Sequence, residues 1–537
     1  MNQTKPGSKP ALGLFHAAPR QPATTAAALL QTDTPLFIDD QGCLQAGAVA
    51  SADAAPTLPF VGMAPACPPE RLGDPAFCRD HGLRYAYVGG SMAKGISSVA
   101  MAQAFGAAGM LGFFGAAGLP LAEVEQAIAQ LQGGKRPYPF GMNLIHSPNE
   151  PDLEAALVDL YLARGVRLIE ASAFLDLTLP VVCFRVHGIH RDVSGQIITP
   201  NRIIAKLSRE ELAAKFLAPP PERLLRELVT GGRITAEQAE LAAHIPMAQD
   251  VTVEADSGGH TDNRPAISLF PSILALRDKL QSRYHYDQPP RLGLGGGIAT
   301  PASALAAFAM GAAYLVTGTV NQACVESGTC DEVRRMLAET RQADITMAPS
   351  ADMFEMGVHV QVLKRGTMFS MRAARLLELY RQCGGIDQIP AAERQKLENT
   401  LFRAPLENIW EETRAYFAKR DPRQVERAQQ DPKHKMALIF RWYLGQSPVW
   451  ANRGESSRKI DYQIWCGPAM GAFNEWTAGT FLEDPTRRQV VPVALNLLLG
   501  AAYLWRARQL ILQGYPLAAA DTAYAPLETE NLKEYLR

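Results

Sequence analysis

The sequence predicts an α/β fold: a closed (β/α)8 TIM barrel with a small N-terminal domain and a helical lid inserted C-terminal to the eighth strand. From Tyr85 onward, short apolar runs alternate with helical patterns, which marks parallel β/α units. Eight units fit the roughly 250 residues usual for a closed barrel. The last two runs end in Leu292-Gly-Leu-Gly-Gly-Gly297 and Leu315-Val-Thr-Gly-Thr319, where such a barrel commonly binds phosphate. An open doubly wound sheet is the alternative.

The elements follow in order. Residues 1–30 are Ala-, Pro- and Thr-rich, lack the basic start and apolar core of a signal peptide, and are read as a frayed tail. Residues 31–80, rich in Pro, Gly and Ala, form the small N-terminal domain. The barrel spans 81–345, with strands at Tyr85–Gly89, Met110–Phe114, Pro139–Asn143, Val166–Glu170, Arg202–Ala205, Asp250–Glu254, Arg291–Leu294 and Tyr314–Thr317. Leu121–Leu131, Asp152–Ala163 and Ser268–Leu280 repeat apolar residues at helical spacing. Ser208-Arg-Glu-Glu211 reads as a capping box, and Thr300-Pro301 as the cap and first position of another helix. From 346 to 485 helices replace the alternation, at 367–383, 391–402, 406–420 and 433–444. Residues 486–537 carry one long apolar helix, 490–513, suited to packing on the barrel or against a second subunit of a homodimer.

Composition narrows the function. A chain of 537 residues exceeds one core, and 47% apolar content with a net charge of −1 gives no global electrostatic case for nucleic acid or membrane. The run 490–505 is too short, and too interrupted by Asn496, for a span. The segment 364–459 holds 19 Lys and Arg against 11 Asp and Glu, so a basic module sits on an acidic body. Eight cysteines without a C-x-x-C pair read as reduced thiols of a cytoplasmic protein. The histidines form no metal-binding pattern.

Residues closing the barrel strands face the active site. The first strand supplies Gly90, Ser91, Met92 and Ala93, small enough to lie beneath a flat ring. Asn143 donates and accepts at a heteroaromatic edge. Lys206 is a cation beside a ring that gains negative charge on reduction, or a lysine snorkelling at the barrel mouth. The sixth strand runs through Glu254 to Asp256, Ser257 and His260. The imidazole titrates near neutrality and suits proton donation, or is a loop histidine bonded within its own backbone neighbourhood, while Asp256 orients it or caps the next turn. Gly296, Gly297, Gly318 and Thr319 let backbone N–H groups approach a phosphate; closing ordinary turns is the plainer alternative. Cys324, just past the eighth strand, reads as a core residue.

Gly89-Gly-Ser-Met-Ala-Lys-Gly-Ile96, Gly141-Met-Asn-Leu144, Glu254-Ala-Asp-Ser-Gly-Gly-His260, Gly295-Gly-Gly-Ile298 and Val316-Thr-Gly-Thr319 together resemble the FMN-containing barrels of the nitronate monooxygenase superfamily. Val362-Leu-Lys-Arg-Gly-Thr-Met-Phe369 and Trp465-Cys-Gly-Pro-Ala-Met-Gly-Ala-Phe-Asn474 resemble, within it, the PfaD-type trans-acting enoyl reductases of polyunsaturated fatty acid and trans-acyltransferase polyketide synthases. The resemblance implies FMN, its phosphate at Gly296, Gly297, Gly318 and Thr319, and its ring over the first-strand residues near Asn143 and Lys206, with Asp256, Gly258 and Gly259 adjoining. It implies NADPH, or NADH, as hydride donor, an enoyl thioester on acyl carrier protein as substrate, and His260 as the active-site histidine. Where simple oxidases carry Ala-Gly-Gly-His, this chain has Asp-Ser-Gly-Gly-His, so the histidine's partners differ. An acidic carrier would meet the basic module at Lys364, Arg365 and Arg372; the alternative is that these charges simply solvate their helices. A nitronate-oxidising flavoenzyme and a docking protein without redox activity are the competing functions.

Overall fold

The apolar runs close on themselves. In the computed structural model, which describes residues 11–50, 57–134, 138–148 and 150–536, eight parallel strands form one barrel: Tyr87–Gly89, Leu111–Phe114, Phe140–Ile145, Leu168–Ser172, Arg202–Leu207, Asp250–Glu254, Arg291–Gly295 and Leu315–Thr317. Each pairs with its sequence neighbours, and Leu315–Thr317 returns to Tyr87–Gly89 through Leu315↔Tyr87 and Thr317↔Gly89. The strands are buried along most of their length, which is why they read as continuous apolar runs without alternation. At the C-terminal mouth a second sheet forms: Gly259–His260 pairs antiparallel with His359–Leu363, which pairs with Ile345–Pro349. It fixes the loop after the sixth strand.

Residues 13–30, expected as part of a tail, are ordered elements. Gly13–Ala17 joins Leu36–Asp39, Leu44–Val49 and Leu58–Ala64 in a small closed barrel, and Thr25–Leu30 is a helix capped by Thr24. Phe15, Phe37 and Phe60 fill its interior, the first two stacked at 4.6 Å. Residues 1–10 lie outside the described residues. The expected capping box at Ser208 does not form. Arg209 stands at the cap without a side-chain bond, because Ser208 Oγ instead donates to Asp262 Oδ2 at 2.6 Å. Thr300 does cap its helix, reciprocally with Ser303, and Pro301 occupies the first turn.

The lid comprises Phe369–Gln382, Ala391–Leu397 with a π turn to Phe402, Leu406–Arg420, Pro422–Gln430 and Pro432–Arg453. It has its own apolar core around Leu376, Phe402, Phe440 and Tyr443.

Val490–Leu512 forms a single helix that, unlike the run 490–505 taken alone, is long and apolar enough to cross a membrane. Its most apolar window is 83% buried inside the protein, so packing accounts for its composition. One side meets the barrel helix Pro301–Ala309, the other the N-terminal barrel. Buried Asn496 accepts from Tyr524 Oη and Leu527 N and donates to Pro492 O, satisfying its amide. At Gly500 a methyl group would stand 2.6 Å from both Pro301 Cγ and Tyr524 Cδ1. Alanine ordinarily stabilises a helix interior by about 1 kcal/mol over glycine. Here crowding reverses the sign: Gly500→Val is expected to cost about 1–3 kcal/mol, read as a lowered thermal midpoint.

Candidate active site

The strand ends and the lid enclose a cavity of about 670 Å³ at the C-terminal mouth of the barrel. Its wall contains Gly90, Ser91, Met92, Ala93, Asn143, Lys206, Gly258, Gly259, His260, Gly296, Gly297, Gly318 and Thr319. Among the residues selected from sequence, Asp256 lies off the wall. Its Oδ1 accepts from Gln361 Nε2 at 2.8 Å, and the same amide donates to Ser257 O, so Asp256 ties the histidine loop to the second sheet.

One end of the cavity is a cradle of backbone. A methyl built at Gly297 or Gly318 meets no atom within 4 Å, so both positions open onto free space. Among the described residues, the N–H groups of Gly297, Gly318 and Thr319 have no acceptor. Gly318 and Thr319 begin the Thr319–Gln322 turn of helix, and Thr319 Oγ1 accepts from Gly467 N at 3.3 Å. Unpaired donors beside an open volume fit a phosphate, so the residues present suit the FMN tail. Cys324 turns away, its Sγ bonded to Val320 O, and burial pushes its thiol well above the ordinary range.

The barrel floor is charged. Lys206 Nζ stands 3.7 Å from Glu170 Oε2 and 3.7 Å from Glu254 Oε1, bridging carboxylates from the fourth and sixth strands. Burial works to deprotonate Lys206, but the two carboxylates outweigh it and hold its affinity for the proton above the ordinary lysine value. Burial, aided by Glu170, raises the Glu254 carboxyl against the pull of Lys206. Ser91 donates to Glu170 Oε2 through its N–H at 2.8 Å and through its hydroxyl, so the first-strand loop is anchored on the same carboxylate. Glu170 Oε1 is buried without a partner among the described residues. Asn143 Nδ2 is committed to Glu170 O and Ser172 Oγ.

His260 pairs with residues that the sequence did not single out. Its Nε2 lies 3.1 Å from Ser350 Oγ and 3.2 Å from Asp352 Oδ1, both just past the Ile345–Pro349 strand. Ser350 also donates to Asp352. A carboxylate only accepts, so Nε2 carries a proton in either charge state, and Nδ1 is the atom that titrates. Burial disfavours the imidazolium, but Asp352, with Glu254 behind it, outweighs burial and raises the histidine above its ordinary value. Reciprocally, His260 and Ser350 overcome burial to hold Asp352 well below the usual carboxylate range. Nδ1 has no partner among the described residues.

The late Trp465-Cys-Gly motif completes this corner. A Cβ on Gly258 would come to 3.0 Å of Cys466 backbone, and one on Gly467 to 2.9 Å of Gly258 N, so the two motifs pack main chain to main chain. The outer cavity is bordered by Tyr416, Phe417, Arg420, Arg441 and Trp442 of the lid. Arg420 forks onto Glu150 of the loop after the third strand, and Arg423 reaches Asp152 at 2.7 Å.

The three cations expected to meet a carrier fare differently. Arg372 is spent internally on fully buried Asp461, which also receives Tyr443 Oη at 2.9 Å and gathers Arg403 and Arg458, so it offers no free charge. Arg365 faces Glu339 and Asp344 at 3.5 and 3.7 Å. Lys364 is exposed.

Residues 383–462 match the family model of the inserted helical domain of [acyl-carrier-protein] S-malonyltransferase. The chain is 45% identical over 493 residues to a polyunsaturated fatty acid synthase polypeptide of Thraustochytrium sp., covering 90% of this chain and 32% of that protein. It is 43% identical over 467 residues to polyketide biosynthesis protein PksE of Bacillus subtilis, covering 86% of this chain and 59% of that protein. It thus spans about a third of the first relative and under two thirds of the second. Among solved structures, the enoyl reductase domain of MlnA from the macrolactin biosynthesis cluster of Bacillus amyloliquefaciens superposes with a TM-score of 0.78 at 40% identity. That match covers 82% of this chain and 99% of that domain.

Proposed function

The chain belongs to the enoyl reductase family of polyketide and polyunsaturated fatty acid synthases, and from that premise we propose that it reduces the 2,3 double bond of enoyl thioesters carried on acyl carrier protein, using FMN and NADPH or NADH. The observation that carries this reading is one cavity lined by a cradle of unpaired backbone donors, by Lys206 between two carboxylates and by His260 on its Asp352 support. When bound, FMN supplies hydride transfer from the nicotinamide to the β-carbon of the enoyl thioester.

The residues divide the remaining work. Gly297, Gly318 and Thr319 would hold the phosphate through their N–H groups, and Gly90 to Ala93 with Asn143 would border the ring. Lys206, charged at neutral pH, supplies positive potential where electron density collects. His260 holds a proton at Nδ1 and gives it to the α-carbon as negative charge grows on the thioester, while Asp352 and Ser350 fix the ring through Nε2. The lid helices form one wall of the outer cavity.

The purified protein is expected to be yellow, with the two-banded visible absorption of a bound flavin. Anaerobic mixing with NADPH should bleach it, and an enoyl thioester should then restore the colour. Bleaching by a nitronate and not by NADPH would favour an oxidase; a colourless protein that cannot be reconstituted with FMN would leave a docking role.

A further inference from the structure

Among the described residues, the outer end of the cavity, between the first three barrel loops and the lid, contains three cations: Lys94, Arg420 and Arg441. Two are neutralised. Arg420 is forked on Glu150, and Arg441 stands 3.3 Å from Glu355. Lys94 is not: among the described residues its ammonium makes no hydrogen bond or ion pair. The side chain folds down over Gly118, where a built Cβ would lie 3.1 Å from Nζ.

Three features of Lys94 are individually unfavourable. Burial draws its proton affinity down, and the Arg420 charge draws it further, while Glu150 and Asp352 act only from a distance. Its backbone is left-handed, at φ 56°, fixed there by a 2.8 Å bond from its N–H to Ala117 O. Glycine would occupy that conformation without the cost of about 1–2 kcal/mol that a side chain brings. A lysine held in this conformation, shielded and unpaired, fits a site whose counter-ion arrives with the ligand.

We propose that Lys94 binds a phosphate ester of a substrate at the outer cavity. The proposal rests on the enoyl reductase reading, which brings two such groups to this mouth: the adenosine 2′-phosphate of NADPH and the phosphodiester of the carrier's phosphopantetheine arm. Tyr416, half exposed with Arg420 over its ring at 5.5 Å, offers a flat face on the same wall.

Calorimetric titration of the full flavin-loaded chain tests it with two ligand pairs, adenosine 2′,5′-bisphosphate against adenosine 5′-phosphate and phosphopantetheine against pantetheine. In one pair the more phosphorylated member should bind about tenfold tighter or better. Lys94→Gln and Lys94→Gly should both abolish that difference, the glycine variant retaining the left-handed backbone. Preference in the first pair identifies the dinucleotide as the source; preference in the second identifies the carrier arm. Equal binding within both pairs by the wild type, or a preference that survives in both variants, overturns the proposal. Turnover of an enoyl N-acetylcysteamine thioester, which has no phosphate, separates the two readings. Turnover without phosphate preference removes the anion site alone, whereas preference without turnover removes the reductase and leaves the site.

Discussion

Lys206→Met is expected to lose about 3–5 kcal/mol of stability, the usual cost of stranding buried charge, because it leaves Glu170 and Glu254 facing each other without a cation. The lower end is the better expectation: Glu254 is 19% exposed and has a raised carboxyl, so a proton there relieves part of the repulsion. The pH dependence follows. A carboxyl whose folded-state affinity for the proton exceeds its unfolded value contributes fully below the unfolded value, near 4.5, and loses that contribution as pH rises through the folded one. The deficit of Lys206→Met relative to wild type should therefore widen between pH 5 and pH 8 in urea unfolding curves. Adding Glu254→Gln should recover part of it by removing one of the facing charges. Enoyl reduction by the single variant should fall by about two orders of magnitude through loss of preorganised positive potential. A deficit independent of pH would mean that Lys206 acts by packing, not charge.

That cluster also shows what local sequence conveys. The strand ends Glu170, Lys206 and Glu254 were placed at the barrel mouth by alternation alone, since a parallel strand buried on both faces announces itself as an apolar run. Their mutual contact was not legible, because it depends on lateral pairing of neighbouring strands whose ends lie 36 and 48 residues apart in sequence. For the glycines, sequence left two readings, a turn or an anion cradle, and what favours the second is spatial: Gly297 and Gly318 open onto free space. Residues 13–30 misled because Ala, Pro and Thr report little, whereas the strand Gly13–Ala17 owes its order to pairing with Leu44–Val49 and Leu58–Ala64 and to Phe15 meeting Phe37. Lys94 stood inside a recognised motif, but its unpaired ammonium emerges only once the lid arginines are seen to have their own carboxylates.

Ser350 and Asp352 lie 90 and 92 residues beyond His260 and carry no motif, yet both stand within hydrogen-bond reach of its Nε2. His260→Ala should reduce turnover by about 10²–10⁴-fold, the range for a positioned acid, with flavin content unchanged because the glycine cradle lies at the ends of other strands. Asp352→Asn gives the sharper test. With Asp352 present, Nδ1 stays protonated above the ordinary histidine value, so a rate that needs the imidazolium falls only when pH rises past that raised value. The amide removes the leading influence that raises it and leaves burial, which lowers it. The falling limb of kcat against pH should then move to lower pH, with the rate below that limb close to wild type. Asp352→Glu, retaining the charge, should restore much of the shift. If Asp352→Asn lowers kcat uniformly and leaves the limb in place, Asp352 orients the ring without setting its charge, and the proton reaches the α-carbon from elsewhere.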